Sequence, residues 1–123
     1  MSGCRGPVDQ NDQIPRVFVW CIGEELPDPV EYIEYGLEEE GVSWAVQSGF
    51  DGDGVPVAYD ASVSSPLKIG VSVTPAQRVV VHHKQLPDDD PMFDIPHVTT
   101  ETARKLGSNT ARLAKGTPLK TVA

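Results

Sequence analysis

The stretch RVFVWCIGEELPDPVEYIEYGLEEEGVSWAVQ, residues 16–47, decides the fold. Its opening, RVFVWCI, is short, β-branched and aromatic, follows Pro15 and stops at Gly23, which marks a largely buried strand. Next come the start and stop signals of a helix. Asp28 stands at the N-cap, Pro29 at the first helical position, Glu31 three residues after the cap and Gly41 at the terminator. Val30, Ile33 and Leu37 share one face at helical spacing. VSWAVQ then reads as a second strand, and a helical crossover between two strands tends to return the chain parallel.

Working outward, SGFDGDGVP is marked by Gly and Asp as a turn or loop. VPVAYDASVSS, residues 55–65, is expected to form a short helix. PLKIGVSV and RVVVHH are two strands separated by TPAQ, a spacing that predicts an antiparallel pair. QLPDDDPMFDIPHV, residues 85–98, is proline-rich and acidic and reads as a loop. TTETARKLGSNTARLAKG closes the chain as a helix capped by Thr99 or Thr100. Ala103, Leu106, Thr110, Leu113 and Ala114 lie along one face of it, and cations gather near its C-terminus where the helix dipole favours them. Gly107 weakens this helix by about 1 kcal/mol relative to alanine. The element order is that of an α/β fold with a mixed sheet, and no internal repeat is visible.

The chain has 123 residues, enough for one compact domain, expected over residues 16–123 and preceded by a flexible tail at 1–15. No run approaches the roughly 20 apolar residues of a bilayer span, and the start lacks an apolar signal segment, so a soluble, cytoplasmic protein is expected. Cys4 and Cys21 have no metal-knuckle spacing and read as reduced thiols. A net charge of −8 opposes a nucleic-acid partner, because phosphate binding relies on clustered Lys and Arg. Acid is concentrated in residues 24–40 and 88–94, whereas Arg104, Lys105, Arg112, Lys115 and Lys120 follow the last acid, Glu101. A dipolar surface of this kind suits a protein partner.

No complete active site emerges, and no catalytic residue is assigned. His82 and His83 alternate across a strand and cannot chelate one metal together, and His97 lies apart from them in a loop. Asp51 to Gly54 resembles the start of a calcium loop, but Val55, Pro56 and Val57 follow where further ligands belong. Ser64 and Ser65 lack a nucleophile elbow, and GSNTARLAKG has too few glycines for a phosphate loop. What stands out is Glu38, Glu39 and Glu40, three acids in the last turn of a helix, where the partial negative charge of the terminus disfavours them. Their plain reading is a solvated helix end. A hard cation such as Mg²⁺ would offset their repulsion, with further oxygen ligands supplied from elsewhere.

LEEEGVSW, SSPLKIGVSV, VVVHHKQLP and GSNTARLAKGTPL, in this order and near this spacing over about a hundred residues, together resemble the small subunit of the diol/glycerol dehydratase reactivases. The resemblance implies a three-layer α/β/α fold with a mixed sheet of four to five strands, similar to the anticodon-binding domains of some aminoacyl-tRNA synthetases. It also implies a non-catalytic subunit that pairs with a large ATPase subunit. In the family's scheme the small subunit exchanges with the medium subunit of an adenosylcobalamin-dependent dehydratase, so that damaged cobalamin leaves. The residue matching the family's Mg²⁺ ligand at the contact with the ATPase subunit is Glu39, the middle acid of EEEG. No cofactor is implied for the isolated chain, and self-association of that chain is allowed. His83 departs from the family, where an aromatic residue is common, and the N-terminal tail is longer. The alternatives are a medium-subunit-like component of a dehydratase, which would carry substantially more N-terminal sequence, and an independent small-ligand domain with a deep polar pocket.

Overall fold

The computed structural model describes residues 14–121, so Cys4 and most of the N-terminal segment expected to be flexible lie outside the described residues. The elements follow as β1 (Val17–Ile22), α1 (Pro29–Glu39), β2 (Trp44–Phe50), α2 (Gly54–Ser64), β3 (Ile69–Val73), β4 (Val79–His83), β5 (Phe93–Ile95) and α3 (Thr100–Lys115). They build a five-stranded sheet in the order β2-β1-β3-β4-β5. β1 runs parallel to both β2 and β3, whereas β3–β4 and β4–β5 are antiparallel. The helical crossovers and the TPAQ hairpin therefore give the mixed sheet anticipated from element order.

Strand alternation sorts side chains onto the two faces. Val17, Val19, Cys21, Val71, Val73, Val79 and Val81 join Val30, Ile33 and Leu37 of α1 and Ala103 and Leu106 of α3 in one core. On the opposite face α2 lies so close that a Cβ on Gly70 would meet the backbone of Ala58 and Ser62. Ser72 on that face donates to Gly54 O at 2.6 Å. Tyr59 of α2 meets the His82 ring edge-on at 5.1 Å. Helices thus cover both faces, giving three layers.

Local signals were mostly as read, with informative departures. The expected helix over residues 55–65 is present as α2, with Ser65 as its extended C-cap, and Asp53 of the DGDG turn caps its start by accepting from Val55 N at 3.2 Å. Asp28 occupies the N-cap of α1 but has helical backbone angles and makes no side-chain cap bond. Pro29 has removed one donor there, and Val30 N is already bonded to Pro27 O. At the other end Gly41, at φ 74°, closes α1 with bonds from Gly41 N to Glu38 O and from Val42 N to Leu37 O, a Schellman motif. Thr99, rather than Thr100, caps α3.

The reading of residues 85–98 as loop throughout is corrected by β5. Its three residues pair Val79 with Ile95, Val80 with Asp94 and Val81 with Phe93. Arg78 anchors it: Nε and Nη2 fork onto the Asp94 carboxylate, each at 2.7 Å, while Nη1 reaches Asp53 at 3.0 Å. An edge strand this short, flanked by prolines and aspartates, offers no run of alternation to detect.

Candidate functional site

The last turn of α1 holds the three glutamates, and α3 lies against it. The two helices approach so closely that glycine is required on both sides. A Cβ on Gly36 would stand 2.5 Å from Ser108 N, and one on Gly107 2.8 Å from the carbonyl carbon of Ile33. The mid-helix glycine that looked like a weakness is the notch that seats α1.

This contact brings a polar stripe of α3, Arg104, Ser108, Arg112 and Lys115, over the acidic tip. Glu40 is the most engaged. Its carboxylate accepts from Ser108 Oγ at 2.8 Å, Arg112 Nε at 2.9 Å and Lys115 Nζ at 3.0 Å. Lys115 also donates to the Glu40 carbonyl at 2.9 Å, so a cation caps the negative end of the helix dipole. Hydrogen bonds from Lys115, then Ser108 and Arg112, lower the Glu40 pKa to about 2. Glu39 points outward and takes a bidentate fork from Arg104, at 3.0 Å from Nε and 2.6 Å from Nη2. That hydrogen-bonded guanidinium holds the Glu39 carboxyl below its ordinary range and is itself raised by the pairing. Glu38 is exposed, and with Tyr35, Glu39 and Arg104 it lines an open recess of about 320 Å³.

Three acids persist at a helix C-terminus, then, because cations of the last helix fold back over two of them. The C-terminal charge that suggested a dipolar surface is partly spent inside the chain. The stripe was readable in sequence, since residues 104, 108, 112 and 115 recur at helical spacing, but only the fold pairs it with α1.

Glu39 presents a partly exposed carboxylate beside this recess, an oxygen donor of the kind a hard cation takes, with both oxygens engaged by Arg104. Among the described residues no group of three or more His, Cys, Asp or Glu is placed to hold a metal ion. His82 is a buried structural histidine: Nδ1 accepts from His83 N at 2.9 Å and Nε2 lies 3.2 Å from Asp88 O. His83 faces the other way, half-buried, with its pKa lowered chiefly by burial. A crevice of about 340 Å³ opens where β1 and β3 end, rimmed by Glu24, Glu25 and Asp28, an acidic edge poorly matched to phosphate. Among the described residues no helix is long and apolar enough to cross a membrane.

A family model described as the dehydratase medium subunit matches residues 14–120. The chain belongs to the dehydratase medium subunit family. Within the range of this family, it is 33% identical over 114 residues to the propanediol dehydratase-reactivating factor small subunit of Salmonella typhimurium, covering 92% of this chain and 97% of that one. It is 40% identical over 86 residues to the diol dehydratase-reactivating factor small subunit of Klebsiella michiganensis, covering 69% and 68%. Its structure is similar to a chain of a diol dehydratase-reactivating factor solved with ADP and Mg²⁺, at TM-score 0.80 and 32% identity, covering 87% of this chain and 98% of that chain. A glycerol dehydratase reactivase chain matches at TM-score 0.79 and 28% identity, covering 89% and 99%. The resemblance carried by the four sequence motifs and the α/β fold expected from it are both met.

Proposed function

We propose that this chain is the non-catalytic small subunit of a reactivating factor for a cobalamin-dependent diol or glycerol dehydratase. The observation that carries the reading is full-length similarity to reactivating-factor small subunits, in sequence to the Salmonella protein and in structure to the diol and glycerol factors. In this role the chain pairs with a large ATPase subunit and leaves it in exchange for the dehydratase's medium subunit, so that damaged cobalamin is released. It acts by occupying and vacating a surface, which fits a domain whose conspicuous polar groups are ion-paired rather than poised for proton transfer.

Glu39 is the residue through which this chain would contribute to a Mg²⁺ at the subunit contact. Mg²⁺ bound there would bridge two chains electrostatically. Support comes from the half-exposed carboxylate at the end of α1 and from the ADP and Mg²⁺ with which the related diol factor was solved. Glu40, by contrast, is committed to α3 and positions its neighbour.

The test is association with the large subunit by calorimetry in MgCl₂. Glu39→Gln should weaken binding while circular dichroism and melting stay those of the parent chain. Unchanged affinity removes Glu39 from the contact. The family description also favours a second reading, a medium-subunit-like component of a dehydratase. Copurification separates the two, since the first predicts recovery with the ATPase subunit and the second stable recovery with dehydratase subunits.

A further inference from the structure

Glu39 and Glu40 are adjacent, yet the fold treats them differently. Glu40 is closed in, with 14% of its side chain exposed, and is shared among Ser108, Arg112 and Lys115. Glu39 and Arg104 remain open to solvent, at 42% and 55%. The guanidinium fork engages both oxygens of Glu39, the same atoms that a divalent cation would take. The positive guanidinium lies against both oxygens and opposes a divalent cation approaching them, so ligation of a metal is favoured when Arg104 withdraws.

Resting on the reading that Glu39 ligates a divalent cation at the subunit contact, we propose that Arg104 is its displaceable counter-ion. In the free chain Arg104 fixes the carboxylate's direction and keeps dissolved cations off it. On assembly the guanidinium swings aside and the ion enters. Exposed ion pairs are weak, so release is easy. The Arg104 side chain is long and exposed, and the recess it lines also holds Glu38, a second carboxylate that can receive the released guanidinium. Glu40 keeps the helix tip seated on α3 throughout. The metal site is thus weakened in the lone subunit and completed where a partner supplies further ligands.

The experiment uses the full chain and MnCl₂ as a paramagnetic probe, reading amide signals of Glu38 to Gly41 by NMR. Arg104→Gln should lower the Mn²⁺ concentration for half-broadening by about two- to fivefold, the range expected for losing an exposed pair. Lys105→Gln removes the same charge one residue away, from a pair with Glu101, and should leave that concentration near the parent value. Glu39→Gln should abolish the effect. Equal broadening in Arg104→Gln and the parent chain, equal shifts in the Arg104 and Lys105 variants, or broadening retained in Glu39→Gln would each overturn the proposal. Association with the large subunit in MgCl₂ separates the two levels. If Glu39→Gln weakens it while Mn²⁺ broadening ignores Arg104, only the counter-ion role fails; if Glu39→Gln leaves it unchanged, the metal contact itself fails.

Discussion

Gly107→Ala offers the sharpest test of how the acidic tip is held. In an isolated helix this change stabilises by about 1 kcal/mol, because glycine carries the larger backbone entropy loss. Here the new methyl would stand 2.8 Å from the Ile33 carbonyl carbon and 2.9 Å from its Cα, against about 3.4 Å for ordinary contact, and the Ile33 carbonyl oxygen is nearer still. The obstacles are backbone atoms inside α1, so no rotamer change removes them, and the helices must part. Overpacking of a tight core contact costs about 3 kcal/mol at the upper end of its usual range. Less the propensity gain, the net loss is about 2 kcal/mol, or about 8 °C in Tm for a chain of this size. Urea denaturation with an unchanged m-value would measure it. A variant as stable as the parent chain would refute the notch as the determinant of α1–α3 packing. Gly36→Ala should behave alike, and the double variant should lose less than the two losses added, because both relieve themselves by the same separation.

Glu40 predicts a pH signature. Its folded pKa of about 2 lies below the ordinary 4.5, so its stabilisation is complete above about 4.5 and fades as pH falls towards 2; the Tm gap between parent and Glu40→Gln should close over that window, and a gap constant from pH 6 to 2.5 would refute its ion-pair origin. Arg78→Met should release β5, seen as faster hydrogen exchange in residues 91–95 with the β1–β3 amides unaffected, since Arg78 ties Asp94 and Asp53 together across the sheet edge. Undiminished protection of β5 would mean that its three-pair ladder suffices alone.

Residues 16–47 were legible because each signal there is local: a β-branched run, a proline at a helix start, a glycine at its stop. The order of elements then predicted a mixed sheet, and β1 between two parallel neighbours is what such crossovers produce. β5 was not legible, because its pairing partner and its Arg78 anchor are distant in sequence and its own composition signals a turn. For the candidate site, the oddity of Glu38 to Glu40 was visible as a conflict with the helix dipole, but its resolution was not. Arg104, Arg112 and Lys115 lie more than sixty residues away, and their partners depend on a glycine pair whose closeness no propensity records.

The seating of α3 on α1 also governs how the polypeptide can mature. Ile33 and Leu37, fully buried in the finished domain, are covered in part by Ala103 and Leu106, which leave the ribosome some seventy residues later, and β1 likewise waits for Gly70 to Val73 before its second edge is paired. Almost the whole chain must therefore be synthesised before its greasy first half finds shelter, and a protein shortened before α3 would reach the cell with that surface bare.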